Sequence, residues 1–440
     1  MFETLGRRRR RRASSGTMLA AGLIAILAVL AVPASGLGGQ ERAGQACELS
    51  VFSWWTGGGE AAGLNRLIKI WNRQNPNCPF KNETVAGGAG TNAKAVLAQR
   101  LAAGSPPDSF QGHAGAELRD YIRAGQIEPV DFIYRSAGFR RVMPASLINQ
   151  IRFNGRLYSV PVNIHRANVL WYNPRVLKQN GIAVPRTWGQ FVAALRKADD
   201  AGLIPLAMGE QWTALHLMET VMIGVVGPQG WAALWKPNSA SRWQSKSITT
   251  ALNRYNTLLG FTNRDAASLT WQEAGKLVAD GKAAFNVMGD WQDGYFSGTK
   301  AGGNLALRPG TGYGWVPVPG TANVYDWLSD SFTLPKGAPH RAAAVKWLTF
   351  LGSKAAQDTF NPVKGSIPAR KDANARLYNA YLKSALRDWK SDVLAGSLMH
   401  GVVAPAAWFT DIDKALGLFL QSKSVARFQT ALVAAARKHS

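Results

Sequence analysis

The sequence predicts an α/β protein built on a parallel sheet with helices on its faces, and two observations support this prediction. From residue 48 onward, short apolar segments with the length of strands alternate with segments whose apolar residues recur at helical spacing. Gly, Pro and Asn separate these segments and indicate turns. An alternation of strand and helix is typical of a parallel sheet covered by helices. With 440 residues, the chain is long enough for two or three domains.

The first strand is predicted over residues 48–54, and the helix that follows ends at Asn75-Pro76-Asn77. One face of this helix is apolar, which predicts that it packs against the sheet. The residues of that face are Leu64, Leu67, Ile68 and Trp71. Further strands are predicted over residues 80–85 and 109–111, with a second helix between them.

The pattern changes near residue 150. Residues 151–158 alternate around Asn154-Gly155, a dipeptide that favours a hairpin. Thr187 is a suitable N-cap for a helix that begins at Trp188. Residues 212–280 have a mostly helical pattern, and helices dominate the chain after the last strand. The extended segments in this half are residues 160–172, 204–208, 284–288, 312–320 and 331–334.

Residues 1–34 have the three parts of a secretory signal peptide. Residues 7–12 are arginines, residues 18–32 are apolar, and small residues follow. An uncleaved anchor is the alternative, but the apolar segment is shorter than the roughly 20 residues that a membrane-spanning helix needs. We therefore expect export, with a short linker over residues 35–46.

The chain is strongly basic. Its formal charge is +24, and the six arginines and one acid of residues 1–34 contribute +5, so 24 − 5 leaves about +19 for the mature chain. A basic surface favours polyanions. After residue 12, however, the cationic residues are dispersed singly, and export does not fit a role on nucleic acid. We expect a basic exported protein with no nucleic-acid partner.

Cys47 and Cys78 are the two cysteines. An even cysteine count in an exported chain favours a disulfide, and both residues precede predicted strands that can lie side by side. The closed loop of about 30 residues would stabilise the fold by about 3–4 kcal/mol. The sequence contains no Cys-X-X-Cys motif and no Cys/His cluster, so we expect no metal site and no cofactor.

Several segments place aromatic residues next to polar ones. After the first strand, Trp54 and Trp55 offer apolar faces, and Glu60 can accept hydrogen bonds from two hydroxyl groups. Gln111 and His113 follow the end of a strand, where α/β proteins bind ligands. The glycine-rich turn before Glu60 could instead bind phosphate, but no Lys-Ser/Thr follows it. The pattern favours a sugar.

A glycoside hydrolase is the enzymatic alternative, because such enzymes need two carboxylates on either side of one bond. Glu60, Glu210, Asp290 and Asp330 are available, and their spacing in sequence does not exclude a pair. The sequence contains no nucleophile elbow, no HExxH and no P-loop.

Taken together, these motifs resemble those of the glucose/galactose-binding members of the ABC-type sugar solute-binding proteins, which are family 1 extracellular solute-binding proteins. The resemblance covers essentially the whole mature chain, in order. The segments that carry it are Ser53-Trp54-Trp55, Gly87-Gly88-Ala89-Gly90, Phe110-Gln111-Gly112-His113-Ala114-Gly115, residues 160–166, residues 284–291, Leu328-Ser329-Asp330-Ser331-Phe332, residues 360–367 and His400-Gly401.

The resemblance implies a two-lobe periplasmic-binding-protein fold of type II, like that of maltose-binding protein, with a hinge and an interlobe cleft that closes on sugar. It places residues 47–159 and 324–370 in the N-terminal lobe, and residues 160–323 and 371–440 in the C-terminal lobe. The chain is expected to cross between the lobes near residues 160, 320 and 370.

The resemblance also implies the binding residues. Trp271 and Trp291 match the family's stacking residues, Trp55 is a further candidate, and the other residues match polar contacts. The expected set is Trp55, Glu60, Gly88, Gln111, His113, Trp271, Trp291, Asp330, Lys364 and His400.

The function implied is that of a periplasmic, monomeric binding protein that catalyses no reaction and delivers a monosaccharide to ABC permease subunits in the inner membrane. D-glucose is the expected ligand, with D-galactose or D-mannose as further candidates. An oligosaccharide-binding protein is the alternative within the same family.

Overall fold

The structure is a computed structural model that describes residues 47–440. The predicted signal peptide (residues 1–34) and linker (residues 35–46) lie outside the described residues. Among the helices of residues 47–440, none combines the length and the hydropathy that a bilayer crossing requires.

The strands and helices alternate over the first part of the chain, as predicted. The strands are β1 (Leu49–Ser53), β2 (Phe80–Thr84), β3 (Ser109–His113), β4 (Ile127–Glu128), β5 (Arg152–Phe153), β6 (Arg156–Leu157), β7 (Ser159–Pro161), β8 (Asn163–Arg166), β9 (Val169–Tyr172), β10 (Ile204–Ala207), β11 (Ala283–Val287), β12 (Gly314–Pro317), β13 (Val324–Leu328), β14 (Asp330–Pro335), β15 (Ile367–Pro368) and β16 (Val393–Gly396).

The α-helices are α1 (Gly58–Gln74), α2 (Thr91–Ala102), α3 (Leu118–Arg123), α4 (Asp131–Ser136), α5 (Phe139–Val142), α6 (Ala145–Gln150), α7 (Pro174–Gln179), α8 (Trp188–Asp200), α9 (Gln211–Leu234), α10 (Ala240–Trp243), α11 (Lys246–Leu259), α12 (Trp271–Ala279), α13 (Trp291–Ser297), α14 (Arg341–Leu351), α15 (Lys354–Lys364), α16 (Ala380–Ser391), α17 (Ala406–Ser422) and α18 (Val425–His439). Short 3-10 segments are Gly88–Gly90, Ala266–Ser268, Lys300–Gly302 and Ala375–Leu377.

The first sheet has the strand order β2-β1-β3-β14-β4, and β7 also pairs with β14. Strand β1 is parallel to β2 and to β3, which confirms the predicted parallel sheet. Strand β14 pairs with β3 in the antiparallel direction. Because β14 lies more than 200 residues after β3, a late segment of the chain completes the first sheet.

The second sheet has the order β10-β11-β9-β12. Strands β10 and β11 are parallel, whereas β9 is antiparallel to both β11 and β12. Each of the two sheets has its own helices, and the protein is therefore an α/β protein with two lobes.

A third sheet has the strand order β15-β8-β13-β16. Two of its strands are the segments by which the chain passes between the first and second sheets. Strand β8 connects β7 of the first sheet to β9 of the second, and β13 leads from β12 back to β14. Strands β8, β13 and β15 lie near residues 160, 320 and 370, where the sequence resemblance implies that the chain crosses. The exact lobe boundaries stay a prediction.

Two turn and cap predictions are confirmed in detail. Asn154 and Gly155, with φ of 45° and 78°, connect the antiparallel strands β5 and β6. This is the left-handed pair of turn residues that tight hairpins need. Thr187 caps α8, because its side chain accepts from the amide of Gln190 while the Gln190 side chain accepts from the Thr187 amide.

The structure contains the Cys47–Cys78 disulfide, with the two Cα atoms 4.6 Å apart. Each cysteine lies at the beginning of one of the two parallel neighbours β1 and β2, as the sequence predicts. The bond closes a loop with a sequence separation of 31 residues. In the chain-entropy model, such a loop stabilises the fold by about 3–4 kcal/mol.

Candidate functional site

A cavity of about 260 Å³ lies where loops from the first and second sheets meet. Its walls come from the turn after β1, the end of β3, the strand β8 and the first residues of α9, α12 and α13. The lining residues are Trp54, Thr56, Glu60, Ala86, Gly87, Gly88, Ala89, Gly90, His113, His165, Glu210, Trp212, Thr270, Trp271, Gln272, Trp291, Leu328, Asp330, Lys364 and His400.

An ion pair between two helix ends forms part of the wall. Glu60 lies in the first turn of α1, and Lys364 is the last residue of α15. The Lys364 Nζ donates to Glu60 Oε1 at 2.8 Å, and Lys364 is almost completely buried. The two helices approach so closely because residue 59 is glycine, since a Cβ there would lie 2.4 Å from the Val363 carbonyl oxygen. Both charged groups keep further hydrogen-bonding capacity for a ligand.

The loop of residues 87–90 is held in left-handed conformations. Gly87, Gly88, Ala89 and Gly90 have φ of 97°, 61°, 48° and 93°. Glycine, which occupies three of the four positions, adopts a positive φ at little cost. A Cβ on Gly90 would lie 2.8 Å from the indole of Trp54. The loop backbone therefore packs directly on Trp54 and fixes that ring in the cavity wall.

Asp330, at the start of β14, is held by donors from several strands. Gln111 Nε2 donates to its Oδ1 at 2.8 Å and Asn163 Nδ2 to its Oδ2 at 2.7 Å, while His165 Nε2 lies 3.3 Å from Oδ2. Burial raises the pKa of Asp330, but the hydrogen bond from His165 and the charge of Lys364 outweigh it and hold the pKa well below its ordinary value. Asp330 is therefore an ionised, acceptor-only group.

Two charged side chains, those of Glu117 and Lys94, orient His113 at the end of β3. His113 Nδ1 lies 2.9 Å from Glu117 Oε2, which also accepts from Lys94 Nζ at 2.7 Å. Burial raises the pKa of Glu117, but the charges of Lys94 and His113 outweigh it and lower the pKa to about 2. The ionised Glu117 accepts a hydrogen bond from His113 Nδ1 and so fixes the orientation of the ring at the cavity.

Trp291, the first residue of α13, forms a buried aromatic part of the wall. Its ring centroid lies 5.1 Å from that of His400, 5.4 Å from that of His165 and 6.3 Å from that of Trp212. A Cβ on Gly289 would lie 2.2 Å from the Trp291 ring, so the turn before α13 requires glycine for this packing.

Trp271, the first residue of α12, forms a more exposed aromatic wall. The helix starts here because of a capping box, in which Thr270 accepts from the Glu273 amide and Glu273 accepts from the Thr270 amide. The ring of Tyr295 supports Trp271 at a centroid distance of 5.8 Å.

Most of the residues expected from the sequence line the same cavity. Those that do are Glu60, Gly88, His113, Trp271, Trp291, Asp330, Lys364 and His400. A second cavity of about 650 Å³ beside α16 contains none of the expected residues. The structure thus brings together side chains that lie up to 340 residues apart in sequence, although their roles as ligand contacts stay predictions.

Trp55 and Gln111 do not line the cavity. Trp55 is 1% exposed and packs on Phe332 and Phe360 at centroid distances of 5.4 and 4.7 Å. Gln111 donates to Asp330 and accepts from the Trp54 amide at 3.2 Å, so it orients a cavity residue instead.

The cavity also contains residues that were not among those expected, namely Trp54, His165, Glu210 and Trp212. Trp54 follows directly after β1, and only the backbone geometry decides which of two adjacent tryptophans points inward. Glu210 accepts from the Trp212 indole at 2.9 Å, which is another case of an acid beside an aromatic residue in sequence. His165 lies within a motif identified from the sequence, but no pattern indicated its contact with Asp330.

Chemically, the arrangement suits a small ligand with many hydroxyl groups. Indole faces pack on C–H groups, ionised carboxylates accept hydrogen bonds, Lys364 donates them, and the histidines can do either. Close behind His400, one atom each from His216, Glu219 and His400 lie within 4.8 Å of one another, and these are the described residues that could hold a metal ion.

A family model described as bacterial extracellular solute-binding protein matches residues 55–358. The chain is 37% identical over 424 residues to an ABC transporter extracellular-binding protein of Pyrococcus horikoshii, which covers 93% of this chain and 94% of that protein. It is 31% identical over 365 residues to a probable sugar-binding periplasmic protein of Brucella suis, with coverage of 82% and 84%.

More distant relatives differ in the sugar that their names give. A xylose/arabinose-binding protein of Haloferax volcanii is 28% identical over 362 residues, with coverage of 81% of this chain and 77% of that protein. A glucose-binding protein of Saccharolobus solfataricus is 25% identical over 334 residues, with coverage of 71% and 59%.

Solved structures have the same fold. The bacterial solute receptor AcbH, described as preferring β-D-galactopyranose, has a TM-score of 0.76 at 20% identity, with coverage of 90% of this chain and 98% of that chain. Maltose-bound MalE3 of T. maritima has a TM-score of 0.73 at 15% identity, with coverage of 89% and 100%. These likenesses support the two-lobe, maltose-binding-protein-like fold. Because the family model covers most of the chain and the two relatives named first are both more than 30% identical to it, the chain belongs to the family of bacterial extracellular solute-binding proteins.

Proposed function

We propose that the protein is the sugar-binding component of an ABC importer and that it binds one monosaccharide, D-glucose, in the cavity lined by Trp271 and Trp291. The observation that carries this proposal is the combination of cavity size and lining. The volume of about 260 Å³ lies just below the range of about 300–1,000 Å³ that is typical of ligand pockets, which favours a single sugar ring over an oligosaccharide.

The polar groups of the cavity match the hydroxyl groups of a hexose. Asp330 and Glu60 accept from hydroxyls, Lys364 donates to them, and His113 and His400 complete the set. An epimer of glucose directs one hydroxyl group to the other side of the ring and would leave a buried partner without its hydrogen bond, at a cost of about 1–3 kcal/mol. We therefore propose that galactose and mannose bind more weakly than glucose.

We further propose that residues 47–159 with 324–370, and 160–323 with 371–440, move as two lobes about the third sheet. Glu60 and His113 belong to the first of these lobes, whereas Trp271 and Trp291 belong to the second. A sugar that contacts both stabilises the closed form, because it has its full set of contacts only there. The closed, monomeric protein would then deliver the sugar to permease subunits at the inner membrane.

The names of the relatives leave pentoses as a second candidate ligand class, because a xylose/arabinose-binding protein is as similar to this chain as a glucose-binding one. A glycoside hydrolase is less well supported, since it needs a carboxylic acid that is protonated before it acts. Asp330 has a lowered pKa, and Glu60 is already paired with Lys364. Burial raises the pKa of Asp290, but Asp290 does not line the cavity. We propose that the protein catalyses no reaction.

Calorimetry on the mature protein with glucose, galactose, mannose, xylose, arabinose and maltose tests the proposal. We expect one site per chain, with the tightest binding for D-glucose. Binding of maltose or a longer sugar without binding of any monosaccharide would contradict it. Release of nitrophenol from aryl glycosides would contradict the absence of catalysis.

A further inference from the structure

Three buried side chains bring potential metal ligands together beside the cavity. His216 and Glu219 lie one turn apart on α9, and His400 lies in the loop after β16. One nitrogen of each imidazole and one carboxylate oxygen lie within 4.8 Å of one another, and all three residues are buried. They come from distant parts of the sequence, which is why no short motif indicated them.

His216 has a free lone pair that points into this group. Its Nε2 lies 3.0 Å from the Ala167 carbonyl oxygen and donates to it, so Nδ1 carries the lone pair. His216 Nδ1 is buried and has no hydrogen-bond partner among the described residues. A buried polar atom without a partner costs about 1–3 kcal/mol. Histidines that bind metals commonly donate their second ring N–H to a carbonyl in this way.

Glu219 and His400 are oriented by a shared hydroxyl. Ser397 Oγ donates to Glu219 Oε1 at 2.8 Å and lies 2.8 Å from His400 Nδ1. Since the hydroxyl has one proton and gives it to Glu219, His400 Nδ1 donates to Ser397 and Nε2 keeps its lone pair. The amides of Leu398 and Met399 donate to Glu219 Oε2 at 2.7 and 2.9 Å. These bonds are the outer hydrogen bonds that fix metal ligands.

A further buried carboxyl group, that of Asp326, lies near Glu219. Both carboxylate oxygens of Asp326 are buried and without a partner among residues 47–440. Burial and the nearby Glu219 both raise the pKa of Asp326. Arg166 directs its guanidinium nitrogens to Asp388, Asp392 and a backbone carbonyl. Asp326 is not one of the three candidate ligands.

We propose that His216, Glu219 and His400 bind a first-row divalent metal ion of the zinc type. Two imidazoles and one carboxylate, with a fourth position open, are a common zinc ligand set. Bonds of about 2.0–2.2 Å place tetrahedral ligands about 3.3 Å apart. The three atoms, now within 4.8 Å, need to approach by no more than about 1.5 Å.

This inference goes beyond the proposed function, because it assigns an ion that binds without the sugar. With Nδ1 on Ser397 and Nε2 on the ion, His400 would line the cavity without a hydrogen bond to the sugar. The ion would tie α9 to the loop of residues 397–401, which carries the cavity residue His400. It would stabilise the folded protein in proportion to its concentration, as any ligand of the native state does.

Zinc titration of the tag-free mature protein after removal of metals with EDTA tests the proposal. We expect one equivalent of bound zinc by calorimetry and by metal analysis, and cobalt(II) should give the visible absorption of a four-coordinate site. His216→Ala and Glu219→Gln should each weaken zinc binding by at least about 10–100-fold. His439→Ala is the matched control, since this histidine contacts Asp411 at the surface and should leave zinc binding unchanged.

Zinc binding that survives both substitutions would overturn the proposal. So would a failure of the unmodified protein to bind zinc with a Kd on the order of micromolar or tighter. If both variants unfold, zinc-dependent shifts of the imidazole nitrogen resonances in the unmodified protein decide, and the absence of such shifts counts against the site. The assay contains no sugar. A protein that binds sugar but no zinc therefore contradicts only this inference, and one that binds zinc but no sugar contradicts only the proposed function.

Discussion

At the scale of single residues, a substitution of Trp271 tests whether the sugar stacks on tryptophan. Of the two expected stacking residues, Trp271 is partly exposed and Trp291 is buried, so replacing Trp271 disturbs folding less. Trp271→Ala should weaken glucose binding by about 2 kcal/mol, or about 30-fold in Kd, since truncating a large aromatic contact in a binding site has effects of this size. Calorimetry measures this change. Trp188→Ala is the control, because Trp188 is also half-buried but packs against Arg254, away from the cavity. Equal affinity in the two variants would contradict stacking by Trp271.

Trp55 is next to the cavity residue Trp54 in sequence, but we expect it to pack in the core and not to contact the sugar. Its indole N–H has no partner among the described residues, and its ring lies between Phe332 and Phe360. Trp55→Phe should therefore leave the Kd for glucose within about 2-fold, at a stability cost of about 1–3 kcal/mol for the lost volume. A loss of affinity of tenfold or more, measured on the folded variant, would show that the sequence-based expectation for Trp55 was right and that the ring reaches the ligand.

Glu117 gives a pH dependence of known sign. Its folded-state pKa of about 2 lies below the ordinary value of 4.5, so its contribution to stability is complete above about pH 4.5 and is lost as the pH falls towards 2. The total is about 3 kcal/mol. Urea unfolding at several pH values should show the unmodified protein losing its advantage over Glu117→Gln across this range. Glu48→Gln, at an exposed ion pair, is the control and should follow the unmodified protein.

The sequence could predict which polar groups meet in the cavity, because the family motifs carry them, but it could not predict how they are held. Asp330 depends on Gln111 and Asn163, which lie 219 and 167 residues away. Such hydrogen bonds follow from strand register, and no local pattern contains them. The same reason explains why Trp54 lines the cavity in place of its neighbour Trp55.

At the scale of elements, the loop of residues 87–90 links backbone conformation to the site. Gly90→Ala should destabilise the fold and weaken glucose binding, because the new Cβ would lie 2.8 Å from the Trp54 indole and φ is 93°. Gly104→Ala is a matched control, with φ of 68° and no atom within 4 Å of the new Cβ. The control should cost about 1 kcal/mol in unfolding free energy and leave the Kd unchanged. Thermal unfolding and calorimetry measure both variants, and equal effects on the Kd would contradict the contact.

Elements were predictable where the chain obeys a local rule. Strand β1, the hairpin at Asn154 and the cap at Thr187 follow from alternation, turn chemistry and capping. Strand β13 was not predicted, because Asp326 interrupts its apolar residues, and only the partner strands β8 and β16 stabilise it. Helix α9 contains a break at Gly227, where φ is 70° before Pro228, and the helical pattern did not reveal it.

At the scale of the whole molecule, the strand order depends on segments that are distant in sequence. Strand β14 completes the first sheet, and β8, β13 and β15 form the sheet through which the chain passes between lobes. Local propensity does not specify such pairings, so the two-lobe arrangement could be predicted only through the family resemblance. The cavity lies where this arrangement brings both main sheets together, which links ligand binding to the stability of the whole chain.

Glucose should therefore shift the unfolding of the entire protein. At a concentration of 100 times the Kd, a ligand adds about 2.7 kcal/mol to the unfolding free energy. With an unfolding entropy of about 2.1 cal/mol/K per residue, the 394 residues from 47 to 440 should show a rise in Tm of about 3 °C. Calorimetry should show one transition that moves as a unit, since the sugar contacts both lobes. Two transitions of which only one moves would mean that the sugar is held by a single lobe and that the closure proposed here does not occur. Sucrose at the same concentration is the control for effects of the solvent alone.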